Sequence, residues 1–261
     1  VHEIDAMGGE MGRAADMVTL QSRILNRGKG PAVHSSRVQA DRRKYQDAMK
    51  HTLENTENLD VKQAEIVDIE FGEDGSVKSV LTKIGARFVV KTAIIATGTY
   101  LKGRVIVGDV SYESGPDGVF PATELSKSLI DAGITLQRFK TGTPPRLEAS
   151  SINYSAFETQ YGDNNIQTFS FMTKKQNPNT HVCYLGYTTE KTKQIILDNL
   201  DRAPMYSGEI KGVGPRYCPS IETKIVRFSD KERHQIFLEP ETRENSEIYV
   251  QGMSTSMPKD I

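Results

Sequence analysis

Apolar and polar positions change their rhythm several times along the chain. Over 41–54 the residues Tyr45, Ala48, Met49 and Leu53 recur at helical spacing, which predicts a helix with these four on one face. Residues 61–71 alternate in part and stop at Glu73-Asp74-Gly75, a hairpin signal. Residues 77–83 are predicted to pair back, and Ile84-Gly85 turns the chain again. Residues 88–96 complete this run of strands. Within them Ala93-Ile94-Ile95-Ala96 is uninterrupted and apolar, the pattern of a strand buried on both faces of a parallel sheet. Thr97-Gly98-Thr99 ends it. A short helix follows over 126–132, closed by Gly133, and a longer one is predicted over 190–200. The adjacent Pro144 and Pro145 fix an extended backbone and mark a domain boundary. Beyond residue 146 strands and loops alternate with the one clear helix over 190–200, and residues 210–228 are dense in Gly, Pro and Arg.

With 261 residues the chain is long enough for one large domain or two ordinary ones, and 37% hydrophobic with 26% charged residues describes a globular protein. No apolar run reaches the roughly 18 residues that a membrane-crossing helix needs. Lys and Arg (33) nearly balance Asp and Glu (34), which excludes a uniformly basic nucleic-acid-binding coat but leaves room for a local basic face. Residues 23–50 supply one, with eight Lys or Arg against Asp41 and Asp47. A solvated face and a contact for RNA phosphates are both open for it. The two cysteines, Cys183 and Cys218, lack CxxC spacing, so a reducing compartment, the cytoplasm, is expected. The five histidines have no HxH or HExxH spacing and support no metal site. A start at Val1 without an apolar leader, and an end that closes no element, read as a piece of a longer protein.

Three constellations can carry chemistry. A meander feeding an apolar strand and then Ala-Thr-Gly is a crossover found in flavoproteins with two dinucleotide-binding domains, or else an ordinary strand end with a glycine turn. The usual GxGxxG loop is absent, since Gly212-Val213-Gly214 runs into Pro215. Residues 212–222 join a flexible loop to Arg216, which can clamp a phosphate, and to Cys218, which is either a nucleophile or an inert buried thiol. Lys140-Thr141-Gly142-Thr143-Pro144-Pro145-Arg146 is either an anion- or flavin-facing loop or a rigid connector.

Several longer motifs carry a resemblance. They are Ile4-Asp5-Ala6-Met7-Gly8-Gly9-Glu10-Met11, Lys29-Gly30-Pro31-Ala32-Val33, Gln39-Ala40-Asp41-Arg42, the 140–146 motif, the run from Gly214 to Glu222, Phe237-Leu238-Glu239-Pro240-Glu241 and Ser254-Thr255-Ser256. In this order, over essentially the whole chain, they resemble the MnmG (GidA) family of flavin-dependent tRNA uridine 5-carboxymethylaminomethyl modification enzymes. His34, Ser35, Thr189, Lys193 and Thr242 depart from the family pattern.

The resemblance implies an α/β fold. Residues 1–138 would be part of a Rossmann-like FAD-binding domain of the GR2 type, lacking its N-terminal GxGxxG unit. Residues 139–261 would be an inserted α/β NAD(H)-binding domain and the return toward the FAD domain. FAD contacts carry over to Ile66 and Ala122, both suited to recognition through the backbone. The NAD segment carries over to Gly214, Pro215, Arg216, Tyr217, Cys218, Pro219, Ser220, Ile221, Glu222, Thr223, Lys224, Ile225, Val226, Arg227 and Phe228. Cys218 matches the cysteine held to be catalytic. The family implies FAD, NADH and methylenetetrahydrofolate as co-substrate, a tRNA wobble uridine as target, a homodimer and an MnmE-type GTPase partner in a heterotetramer. Arg37, Arg42 and Arg43 are the candidates for RNA phosphates. The alternatives are a folate- and FAD-dependent methyltransferase of the tRNA T-loop uridine, and a non-catalytic module binding tRNA or the GTPase. The isolated 261-residue piece is expected to be inactive.

Overall fold

The computed structural model describes residues 1–164, 167–175, 178–212, 214 and 218–261. In chain order the elements are α1 (His2–Ala6), α2 (Met11–Met17), β1 (Thr19–Leu25), β2 (Ser35–Ala40), α3 (Arg42–Glu54), β3 (Ile66–Phe71), β4 (Val77–Thr82) and β5 (Arg87–Val89). There follow β6 (Arg104–Val107), β7 (Val110–Glu113), α4 (Leu125–Asp131), β8 (Arg146–Glu148), β9 (Glu158–Gln160), β10 (Cys183–Tyr187) and α5 (Glu190–Leu197). The chain closes with α6 (Pro204–Ser207), α7 (Ile221–Arg227), β11 (Gln235–Pro240) and β12 (Glu247–Gln251). No helix among the described residues is long and apolar enough to cross a membrane.

These elements form two compact units, each discontinuous in sequence. The first takes Val1–Val61, Thr143–Gln194 and Thr223–Thr255, and the second Lys62–Gly142, Ile195–Glu222 and Ser256–Ile261. Along the sequence the chain passes from one unit to the other five times.

The first unit is built on an antiparallel five-stranded sheet of order β8-β12-β11-β10-β9. Strand alternation sends Leu238, Ile248 and Val250 to one face, where Ile152, Phe157, Tyr184 and Met253 close the core over them. The β1–β2 ribbon is tied to this sheet by side-chain amides: Gln21 Nε2 donates to Gln160 O at 2.8 Å, and Gln39 Nε2 to Pro240 O at 3.0 Å. Asp41 joins ribbon, helix and sheet. Its carboxylate accepts from Lys44 N at 3.0 Å, capping α3, and from Arg243 N at 2.9 Å, while only 1% of the residue is exposed. Asp41→Ala removes both the cap and the charge-assisted bond from Arg243 N, so it is expected to cost about 2–3 kcal/mol in urea unfolding. Asp41→Asn should lose far less, and equal losses would show that the cap is not the source.

The second unit holds the predicted meander. Strands β3, β4 and β5 pair antiparallel, with Gly75 (φ +76°) and Gly85 (φ +86°) at the two turns. Helix α4, stopped by Gly133 at φ +85°, lays Leu125 and Leu129 on Ile69. Ile66, Val77, Val80 and Leu101 pack around that cluster. Strands β6 and β7 form a hairpin.

Two expectations need correction. Residues 93–96 are not a buried parallel strand: they carry no strand assignment, and Ile94 is 95% exposed. An apolar run becomes a strand only when neighbours offer it a ladder on either side, and among the described residues none pairs with this one. Beyond residue 146 the helix expected over 190–200 is joined by α7, inside the stretch dense in Gly, Pro and Arg. Its first residue follows Pro219-Ser220 directly, and Ile221 and Ile225, four apart, are each 1% exposed. The turn-forming residues crowd only its approach.

Candidate functional site

The start of the 140–146 motif and the 212–222 stretch meet in the second unit. A β-carbon added to Gly212 would lie 3.2 Å from Arg138 O and 3.3 Å from Lys140 N, so the glycine lets two backbone segments run against each other. Gly214 faces the Lys140 side chain in the same way, at 3.2 Å from Cε. Beyond this contact Thr141 Oγ1 lies 3.8 Å from Cys218 Sγ, and either atom can donate. Cys218 is half-buried. The thiol therefore has a hydroxyl partner, partial access to solvent and a lysine stem on the adjoining loop.

Cys183 has the opposite character. It is 2% exposed on β10, and burial, with the Glu239 carboxylate adding to it, pushes its thiol up to about 11. Such a thiol stays protonated and inert at neutral pH. Both cysteines looked alike in sequence; their surroundings separate them.

The other expected site residues divide. Ile66 lies in the β3–β4 ladder and packs on the apolar cluster that Leu101 also touches, and Leu101 bridges to Ala122. Ala122 N donates to Tyr100 O at 3.0 Å, and Lys102 N donates to Ala122 O at 2.8 Å. The Ala122 N–H is thus already used. The backbone recognition expected there is reduced to a second lone pair on the carbonyl, with the methyl group as a packing surface. In the 214–228 run, Ser220, Ile221, Glu222, Thr223 and Ile225 are buried. Lys224 Nζ donates to Gly252 O at 2.7 Å. Gly214, Cys218, Pro219, Val226, Arg227 and Phe228 keep surface to offer a ligand. Pro215, Arg216 and Tyr217 lie outside the described residues, and with them the guanidinium clamp. A dinucleotide fits this residue set only in part, because the helix that follows Ser220 turns its isoleucines into the core.

The three arginines expected to meet RNA are not equivalent either. The Arg37 guanidinium pairs with the buried Glu239 carboxylate and with Gln39. Arg42 faces Glu241 at 3.5 Å. Arg43 is exposed. Glu241 also receives Arg146 at 3.0 Å, whose guanidinium stands 5.2 Å from the Tyr249 ring centroid. Glu239 on β11 and Glu241 just past its end thus organise three arginines. Sequence reading had Glu239 and Glu241 only as letters of a motif. Their i, i+2 spacing in a stretch rich in strand formers was the available signal that both point to one side.

The fold and these motifs define a mixed α/β protein of a known family. The profile of glucose inhibited division protein A matches residues 1–261, and the chain belongs to that GidA family. It is 55% identical over 261 residues to the tRNA uridine 5-carboxymethylaminomethyl modification enzyme MnmG of Clostridium novyi, covering 100% of this chain and 41% of that protein. The Clostridium kluyveri MnmG is 56% identical, with 42% of its length covered. Among solved structures, Aquifex aeolicus GidA in its form I crystal matches with a TM-score of 0.91 at 46% identity, over 99% of this chain and 44% of that one. The form II crystal matches with a TM-score of 0.89 at 43% identity. The chain thus spans about two fifths of the length of its relatives.

Proposed function

We propose that the full-length protein carrying this chain is a tRNA-modifying enzyme that elaborates C5 of the wobble uridine. The observation that carries this is the end-to-end match, at 55–56% identity, to proteins named as tRNA uridine 5-carboxymethylaminomethyl modification enzymes. FAD and NADH, with a one-carbon unit from methylenetetrahydrofolate, supply the redox and carbon-transfer chemistry when bound. Ile66 and Ala122 are the proposed FAD contacts, and Gly214, Cys218, Pro219 and the exposed end of α7 the proposed NAD(H) contacts, with the FAD-binding and NAD(H)-binding parts of the sequence divided at 138/139. A homodimer joined to an MnmE-type GTPase, working in the cytoplasm, completes the proposal.

Uracil C5 becomes nucleophilic when another nucleophile adds at C6, and Cys218 is the proposed nucleophile or proton shuttle. What supports it is the contrast with Cys183: one thiol is reachable and hydrogen-bonded, the other sealed. Among the arginines Arg43 is the best placed for RNA phosphates, because Arg37 already serves a buried carboxylate.

Nucleoside mass spectrometry of a strain lacking the gene tests the function. The expected result is loss of the wobble-uridine side chain with the T-loop C5 methyl intact. Loss of the T-loop methyl with an unaltered wobble uridine would establish the T-loop methyltransferase instead. An unchanged nucleoside profile would favour a non-catalytic binding module.

A further inference from the structure

The β6–β7 hairpin and the segment leading to Thr141 enclose a cleft of about 360 Å³ lined by Lys102, Arg104, Ser111, Tyr112, Glu113 and Arg138. Three of the six side chains are cationic and one is anionic. Arg138 Nη1 donates to Lys102 O at 2.7 Å, which holds the guanidinium at the cleft and leaves further N–H groups for a ligand. Arg104 bonds Ser111 and lies 2.9 Å from Glu209, its counter-ion. Lys102 itself sits at φ +50°, a left-handed conformation that side chains seldom adopt. Its backbone is clamped there by Ala122 O and by the adjacent Gly103, where a β-carbon would come within 2.4 Å of Ser114 O. The turn that carries the lysine is therefore fixed before any ligand arrives.

Tyr112 is 55% exposed at the same opening. Cations that meet phosphate beside an aromatic face that meets a base are the elements of single-stranded nucleic-acid recognition. The cleft is also tied to the thiol through the chain. From Arg138 to Thr141 is three residues, at most about 10 Å of extended backbone, and Thr141 touches Cys218. Lys140 lies on the way, and Lys211 precedes the glycine packed against this segment.

We propose that this cleft binds the phosphodiester backbone of the RNA strand beside the reacting uridine, with Tyr112 stacking on a flanking base. The site rests on the tRNA-modifying reading and adds to it a substrate-binding surface distinct from the arginines of the 23–50 stretch. The test measures binding of a synthetic anticodon stem-loop RNA to the full-length protein across a salt series, with NADH binding in parallel. The double variant Lys102→Gln, Arg138→Gln is expected to bind RNA at least about tenfold more weakly at low salt. The slope of log affinity against log salt should fall by about 1.4, from two single-strand phosphate contacts. Tyr112→Ala should weaken RNA on the order of tenfold with the slope kept. NADH binding and the melting temperature should not move, since all three side chains are exposed. If the wild type binds RNA and the double variant does so with the same slope, the cleft is not the site, while the tRNA-modifying function stands. Failure of the wild type to bind RNA at all would overturn both. Weakened NADH binding with intact RNA binding would make it a nucleotide-cofactor site and refute the proposal.

Discussion

Replacing Cys218 by serine in the full-length protein is expected to lower single-turnover modification of tRNA by on the order of a thousandfold. A hydroxyl is a far weaker nucleophile than a thiol at neutral pH, and the substitution removes the proposed nucleophile from this loop. Serine is close in size, and the contact it gives up, 3.8 Å between Thr141 Oγ1 and the sulfur, is a weak one. Folding should therefore change by less than about 1 kcal/mol. Cys183→Ala is the matched control. That thiol is sealed in the β10 core and held protonated, so its loss should lower stability and leave turnover largely intact. Turnover of the serine variant within tenfold of wild type would remove Cys218 from the chemistry.

Arg37→Met is expected to be the most destabilising of the charge changes, at about 3 kcal/mol near pH 7. Glu239 is 3% exposed, and its carboxylate is left in the interior without the guanidinium that faces it. Burial pushes the Glu239 carboxyl up, while Arg37 pulls it back down. A carboxyl whose native pKa lies above its unfolded value keeps its proton longer in the native state. Native stability then falls as pH rises through that interval and recovers as pH drops through it. Without Arg37 the native pKa moves further up. The deficit of the variant should be complete above that raised pKa and fade as urea titrations approach the ordinary carboxylate range. Adding Glu239→Gln should return much of the loss, because the stranded charge is then gone. A deficit unchanged across this pH range would mean that lost packing, and not the carboxylate, carries the cost.

What the sequence reveals of this molecule is chiefly what a short window decides. Helix α3 follows from apolar spacing, and the β3–β4–β5 meander from its turn residues, because a glycine at positive φ is a local requirement. The family was legible for the same reason, in runs such as 140–146 and 214–222. What stayed hidden depends on distant partners. Nothing near Arg37 announces that Glu239 will meet it, and nothing near Thr141 announces Cys218. Residues 93–96 read as buried because apolarity records what a segment tolerates, not whether a neighbour is there to cover it. Helix α7 was obscured by the prolines and glycines that lead into it. Lys102, Tyr112 and Arg138 gave no motif at all; a tight turn and a hairpin place them around one opening.

Sheet order in the first unit also dictates when that unit can be completed. Strand β8 pairs with β12, Glu148 opposite Glu247, so its edge has to wait for about a hundred further residues to be translated. At ribosomal speeds of about 5–20 residues per second the delay is roughly 5–20 s. Throughout that interval Leu238 and its partners do not yet exist to cover Phe157 and Tyr184, whereas the meander of the second unit needs only its own neighbours and can zip up as it leaves the exit tunnel. The nascent protein therefore carries a sticky, half-built sheet for seconds, which makes the stretch from 146 to 251 the natural client of chaperones during synthesis.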